Sequence, residues 1–144
     1  MSQLTENAVA RFEQGFSCSQ SVFSSFAPQF GLSDELALKL ASPFGGGIAR
    51  RGEVCGAVSG ALMALGLWHG SVTPEDKDET YKIVREFIHR FEEKHGSIIC
   101  RRLIGADLST PEGYQTAKEK QVFVNICPNL VKDAAEIVQS LAET

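Results

Sequence analysis

No two of the four cysteines stand in a CxxC pair, which excludes a thioredoxin-type dithiol loop and a local zinc knuckle. The first seven residues, Met1-Ser2-Gln3-Leu4-Thr5-Glu6-Asn7, lack the basic and apolar regions of a secretory signal, so a cytoplasmic location is expected. Long apolar runs are missing as well. The longest, residues 54–68, is rich in Gly and Ala and shorter than the ~20 residues that span a bilayer, so no membrane insertion is expected. Basic stripes are absent: 14 Lys and Arg lie interspersed with 18 Asp and Glu, giving a net charge of -4. That balance argues against nucleic acid as a partner. There is no GxxxxGK[ST] phosphate loop, internal repeat, low-complexity tract or strand alternation.

What is present fits one helical domain. A chain of 144 residues with 43% apolar side chains suffices for a single ordinary core. Cysteines without an export signal are poor candidates for a permanent disulfide framework, because cytosolic thiol pools keep such bonds reduced. Reversible oxidation or metal binding remains.

Helical signals recur from end to end. Leu4, Ala8 and Phe12 form an apolar stripe that Gly15 ends, and Ser17 caps a second helix carrying Cys18, Val22, Phe23 and Phe26. Ser33 caps a third, which Pro43 ends. The triplet Gly45-Gly46-Gly47 leads into a central helix over residues 54–68, in which Gly56 and Gly60 lie one turn apart among alanines. Glycine within a helix costs about 1 kcal/mol against alanine, so close helix contact or room beside Cys55 is expected there. Thr73-Pro74-Glu75-Asp76 starts a long helix to His95, and Gly96-Ser97 precedes a short one over residues 98–104. Thr110-Pro111 opens a helix through Phe123, and residues 125–128 break it before a last amphipathic helix with Leu130, Val131, Ala134, Ile137, Val138 and Leu141. The expected architecture is all-α: one domain over residues 1–144, a bundle of about six to seven helices around the central small-residue helix.

Each cysteine falls where a helix is expected to begin. There the positive end of the helix dipole and unpaired N–H groups favour thiolate over thiol. Cys18, Cys55, Cys100 and Cys127 are therefore the candidate redox-active residues, with Cys55 and Cys100 favoured as the low-pKa thiolate by Arg50, Arg51, Arg101 and Arg102, and with Glu53 opposing at Cys55. The same four are the candidate ligands of an alternative metal site holding iron, an iron–sulfur cluster or zinc. Convergence of all four suits a metal; convergence in pairs suits thiol–disulfide exchange. His69 and His95 read as helix C-terminal caps. Glu86-Phe87-Ile88-His89 has the E-x-x-H spacing of di-iron bundles, in one copy where those proteins use two. The glycine triplet with Arg50 and Arg51 reads as a hinge or an anion cradle.

The segments Cys18-Ser19-Gln20-Ser21-Val22, Phe44-Gly45-Gly46-Gly47, Cys55-Gly56-Ala57-Val58-Ser59-Gly60, Gly96-Ser97-Ile98-Ile99-Cys100-Arg101-Arg102 and Cys127-Pro128 together resemble the C_GCAxxG_C_C family of redox-active proteins, defined by four cysteines and a CGAxxG motif. The resemblance runs through the whole chain. It implies a small helical protein with a redox role and a redox partner protein, while related domains fused in larger redox proteins keep a metal or iron–sulfur role open. A third reading is a non-catalytic adaptor or homodimer built on the small-residue helix.

Overall fold

Side-chain caps fix the first helices. In the computed structural model, which describes residues 2–143, helix α1 (Gln3–Glu13) starts at Ser2, whose Oγ accepts the Thr5 N–H at 3.1 Å. After Gly15 the chain enters α2 (Cys18–Phe26) through a reciprocal box: Ser17 Oγ accepts the Gln20 N–H, and Gln20 Oε1 accepts the Ser17 N–H. Ser33 caps α3 (Asp34–Ala41) in the same manner. The central helix α4 (Gly56–His69), the long α5 (Lys77–His95), the short α6 (Cys100–Ile104), then α7 (Pro111–Glu119), α8 (Val122–Asn125) and α9 (Cys127–Ala142) complete an all-α bundle.

Four boundaries differ from the pattern in the sequence, the first being the short helix expected over residues 98–104, which begins at Cys100 because Ile99 is held in a bridge with Val54. The central helix begins at Gly56, because Val54 is drawn into an isolated antiparallel bridge with Ile99. Residues 74–76 form a 3-10 turn, with Thr73 Oγ1 donating to Asp76 Oδ2 at 2.7 Å, before α5 proper starts at Lys77. The helix expected through Phe123 is broken at Gln121, whose φ is 58°, and this turn carries Val122 into the interior.

Helix α4 packs against α2, α5 and α9, which accounts for an apolar surface on all its sides. Its glycines serve close approach. A Cβ at Gly60 would lie 2.7 Å from the Ser19 carbonyl oxygen, and one at Gly56 would lie 3.0 Å from the Ser19 nitrogen and 3.2 Å from the Cys18 Cβ. The small-residue face is thus occupied within the chain by the start of α2. Gly66, on the exposed side, has nothing within 4 Å of a built Cβ.

This contrast gives a paired expectation. Gly60→Ala should destabilise by about 1–2 kcal/mol, because backbone must shift to admit the methyl. Gly66→Ala should stabilise by up to about 1 kcal/mol through helix propensity. Urea unfolding of both variants checks the signs, and two shifts in the same direction would remove the close-packing account.

Two apolar clusters result. The larger surrounds Phe26, Phe87, Phe91, Val58 and Leu65, and the smaller joins Cys100, Ile104, Leu108, Ala117, Val122 and Cys127. Phe12, Cys18, Leu103 and Ile126 pack against both. No helix among the described residues is long and apolar enough to cross a membrane.

Candidate functional site

At the seam of these clusters lies a cavity of about 880 Å³ whose lining includes Cys18, Cys55, Cys100 and Cys127. All four occupy helix starts. Cys18, Cys100 and Cys127 are the first residues of α2, α6 and α9, and Cys55 is the residue before α4. Cys18 is half-buried, and the other three are buried.

Backbone geometry brings Cys55 and Cys100 together. The Cys55 N–H donates to the Ile98 carbonyl at 2.7 Å and the Cys100 N–H to the Glu53 carbonyl at 2.6 Å, on either side of the Val54–Ile99 bridge. The glycine-rich loop closes over this pair. A Cβ at Gly47 would meet the Cys100 Cβ at 2.7 Å, so only glycine fits.

That loop is more than a hinge. From Gly46 through Gly47, Ile48 and Ala49 to Arg50 the chain runs left-handed, with φ of 66°, 71°, 65°, 50° and 64°. For the three residues with side chains this costs about 1–2 kcal/mol each. Hydrogen bonds hold it: Arg50 N–H to Gly45 O at 3.1 Å, Gly52 N–H to Gly46 O at 3.1 Å and Glu53 N–H to Gly47 O at 2.9 Å. Gly45, Gly46, Gly47, Ala49 and Arg50 all line the cavity.

Cys18 and Cys127 form the second pair, near enough for one thiol to stabilise the other as thiolate. The Cys18 S–H donates to Cys127. This contact, then burial, raises the Cys18 thiol well above its ordinary value, while acceptance of the same bond lowers Cys127 despite its own burial.

Cys55 and Cys100 behave oppositely to the expectation from neighbouring arginines. Burial pushes Cys55 up to about 11, against the lowering effect of the Ala57 and Val58 N–H groups at the start of α4. Burial, with the charges of Cys55 and Cys127, pushes Cys100 up to about 12. The arginines are engaged elsewhere. Arg51 Nε lies 3.4 Å from Glu53 Oε2, Arg101 donates to the Gly52 carbonyl at 3.2 Å, and the Arg50 guanidinium lies over the Tyr114 ring, 4.4 Å from its centroid.

The metal reading lacks its ligand set. Among the described residues no group of three or more His, Cys, Asp or Glu is placed to hold a metal ion, so no chemistry is derived through iron, an iron–sulfur cluster or zinc. The E-x-x-H pattern is likewise dispersed along the surface of α5: Glu86 pairs with Arg90 at 2.9 Å, and His89 with Glu93 at 3.1 Å. His95 Nε2 lies 2.8 Å from Asp133 Oδ2 and His69 Nε2 lies 3.1 Å from the Leu141 carbonyl, so both histidines tie their helix ends to α9.

Sequence reasoning missed the aromatic part of the lining. Phe12, Phe16, Tyr114 and Phe123 come from the α1 end, the loop before α2, α7 and α8. No spacing in the sequence links them; only tertiary packing gathers them around the thiols.

Comparison with known proteins agrees with the cysteine pattern. The model of the family described as "Putative redox-active protein (C_GCAxxG_C_C)" matches residues 16–141. No curated protein and no solved structure matches the chain.

Proposed function

The chain belongs to the C_GCAxxG_C_C family, and from that premise we propose that the cavity is a thiol–disulfide exchange site in which Cys127 attacks and Cys18 resolves. The observation that carries this reading is that the starts of α2 and α9 bring Cys18 and Cys127 into one cavity, with the Cys18 thiol placed to stabilise a Cys127 thiolate. This arrangement places a thiol shifted toward thiolate beside a second thiol that can resolve it, which is what exchange through a mixed disulfide requires.

The steps balance as follows. The Cys127 thiolate forms an S–S bond to one sulfur of a partner disulfide, whose other sulfur leaves as thiolate and takes the proton of Cys18. The Cys18 sulfur then attacks Cys127, forming the Cys18–Cys127 disulfide and expelling the second partner sulfur as thiolate. Two protein sulfurs lose two electrons, and one partner disulfide gains them. Cys55 and Cys100 keep their protons at neutral pH and take no part in the first attack.

The reduced protein, treated with one equivalent of a mild dithiol oxidant and mapped by non-reducing peptide mass spectrometry, should give a Cys18–Cys127 cross-link as its main product. A Cys55–Cys100 link in its place, or no intramolecular link, would overturn the assignment.

A further inference from the structure

Resting on that exchange reading, we propose that the cavity takes a small disulfide bearing a carboxylate, of the amino-acid or short-peptide kind, with Arg50 holding the carboxylate. Three observations carry this. First, the space of about 880 Å³ has the size of a small-molecule pocket, roughly 300–1,000 Å³. It has no room for a folded protein, and a short peptide-like molecule can enter it.

Second, the lining is largely apolar and aromatic around the thiols, with Arg50 its one cation and Glu13 its one acid among the described residues. An apolar wall with few charged groups fixes orientation through those groups. Glu13 offers the complementary contact for an ammonium.

Third, Arg50 is the arginine that lines the cavity, and like Arg85, Arg101 and Arg102 it makes no ion pair with a carboxylate among the described residues. Its guanidinium lies instead over Tyr114, and the Lys118 ammonium lies 5.7 Å from the same ring centroid. Two cations therefore flank one half-buried ring. A guanidinium stacked on an aromatic face keeps its N–H edge free for a bidentate carboxylate. The left-handed run ending at Arg50 fixes the backbone from which that side chain extends.

Bound this way, the substrate presents its S–S bond to Cys127. One substrate sulfur bonds to Cys127 and the other leaves with the Cys18 proton; Cys18 then attacks Cys127 and expels the first as thiolate, so the disulfide is reduced to one thiol and one thiolate and the protein dithiol is oxidised.

The test uses the reduced full-length protein and three symmetric disulfides: glutathione disulfide (anionic), 2-hydroxyethyl disulfide (neutral) and cystamine (cationic). Rates of thiol release are each normalised to the rate with a free cysteine derivative. The expected order is glutathione disulfide first and cystamine last, with the preference shrinking on addition of salt. In Arg50→Gln the ratio of anionic to neutral rates should fall about tenfold, and Arg50→Lys should recover part of it. A ratio unchanged in Arg50→Gln, with 2-hydroxyethyl disulfide still consumed through Cys127, overturns the carboxylate site alone. Failure of all three disulfides to react overturns the exchange reading as well.

Discussion

Replacing Cys127 by serine is expected to slow alkylation of the native protein at pH 7.5 by at least about tenfold and to abolish disulfide exchange. The argument is one of thiolate fractions. A thiol held at about 11 is ionised to only ~0.03% at pH 7.5, whereas the Cys127 thiol, lowered from the ordinary range by the bond from Cys18, carries a far larger thiolate fraction. Intrinsic nucleophilicity falls with pKa, with a slope of ~0.4–0.5 per unit, which returns about one power of ten to the more basic sulfurs. The thiolate fraction still wins.

Cys18→Ala provides a readout that a structural role would not move. Without the S–H that stabilises the anion, the pH midpoint of Cys127 labelling should shift upward, and Cys18→Ser, which keeps an O–H donor, should restore part of the shift. Labelling in Cys127→Ser as fast as in the wild type, on Cys55 or Cys100, would reverse the assignment of roles.

The helix starts were legible because their signals are local. Ser17 and Gln20 lie three positions apart and close a capping box, Ser33 and Thr110 accept from the N–H three residues on, and Gly96 ends α5 in the left-handed region. The first of these places Cys18 and the last precedes Cys100, while Gly45-Gly46-Gly47 and Pro128 mark the starts at Cys55 and Cys127. What could not be read is which helix starts meet. Cys18 reaches Cys127 across more than a hundred residues of chain, and Cys55 reaches Cys100 through a two-residue bridge that interrupts an otherwise helical pattern.

The loop before Cys55 shows the same division. Its glycines announced an unusual backbone, yet the left-handed run continues through Ile48, Ala49 and Arg50, which have no local preference for it. Only the surrounding hydrogen bonds impose it. The order of thiol acidities was misjudged for a related reason. Arginines adjacent in sequence to Cys55 and Cys100 turn to Glu53, Gly52 and Tyr114, so burial, a property of the whole fold, decides those two sulfurs.

Those two buried thiols predict a loss of stability on the alkaline side. In the unfolded chain Cys55 ionises near the ordinary thiol value of 9.0, and in the folded chain only near 11. Between these values the folded state retains a proton that the unfolded state has released, so the unfolding free energy falls as pH rises. Two units correspond to about 3 kcal/mol for Cys55, a large share of the ~5–15 kcal/mol that holds a domain together. Cys100, raised to about 12, acts in the same direction. Cys127 works the other way: its lowered value contributes stability that is present above the ordinary thiol range and is lost as pH falls through its folded value. It thus adds nothing further as pH rises beyond the unfolded range, and the alkaline loss comes from Cys55 and Cys100, with the raised Cys18 acting in the same direction. Urea midpoints measured at pH 8 and pH 10.5 should therefore drop markedly in the wild type and much less in Cys55→Ala and Cys100→Ala, each compared with its own value at pH 8. Equal drops in all three proteins would mean that groups common to all of them govern the alkaline limit and that burial does not hold these two sulfurs protonated.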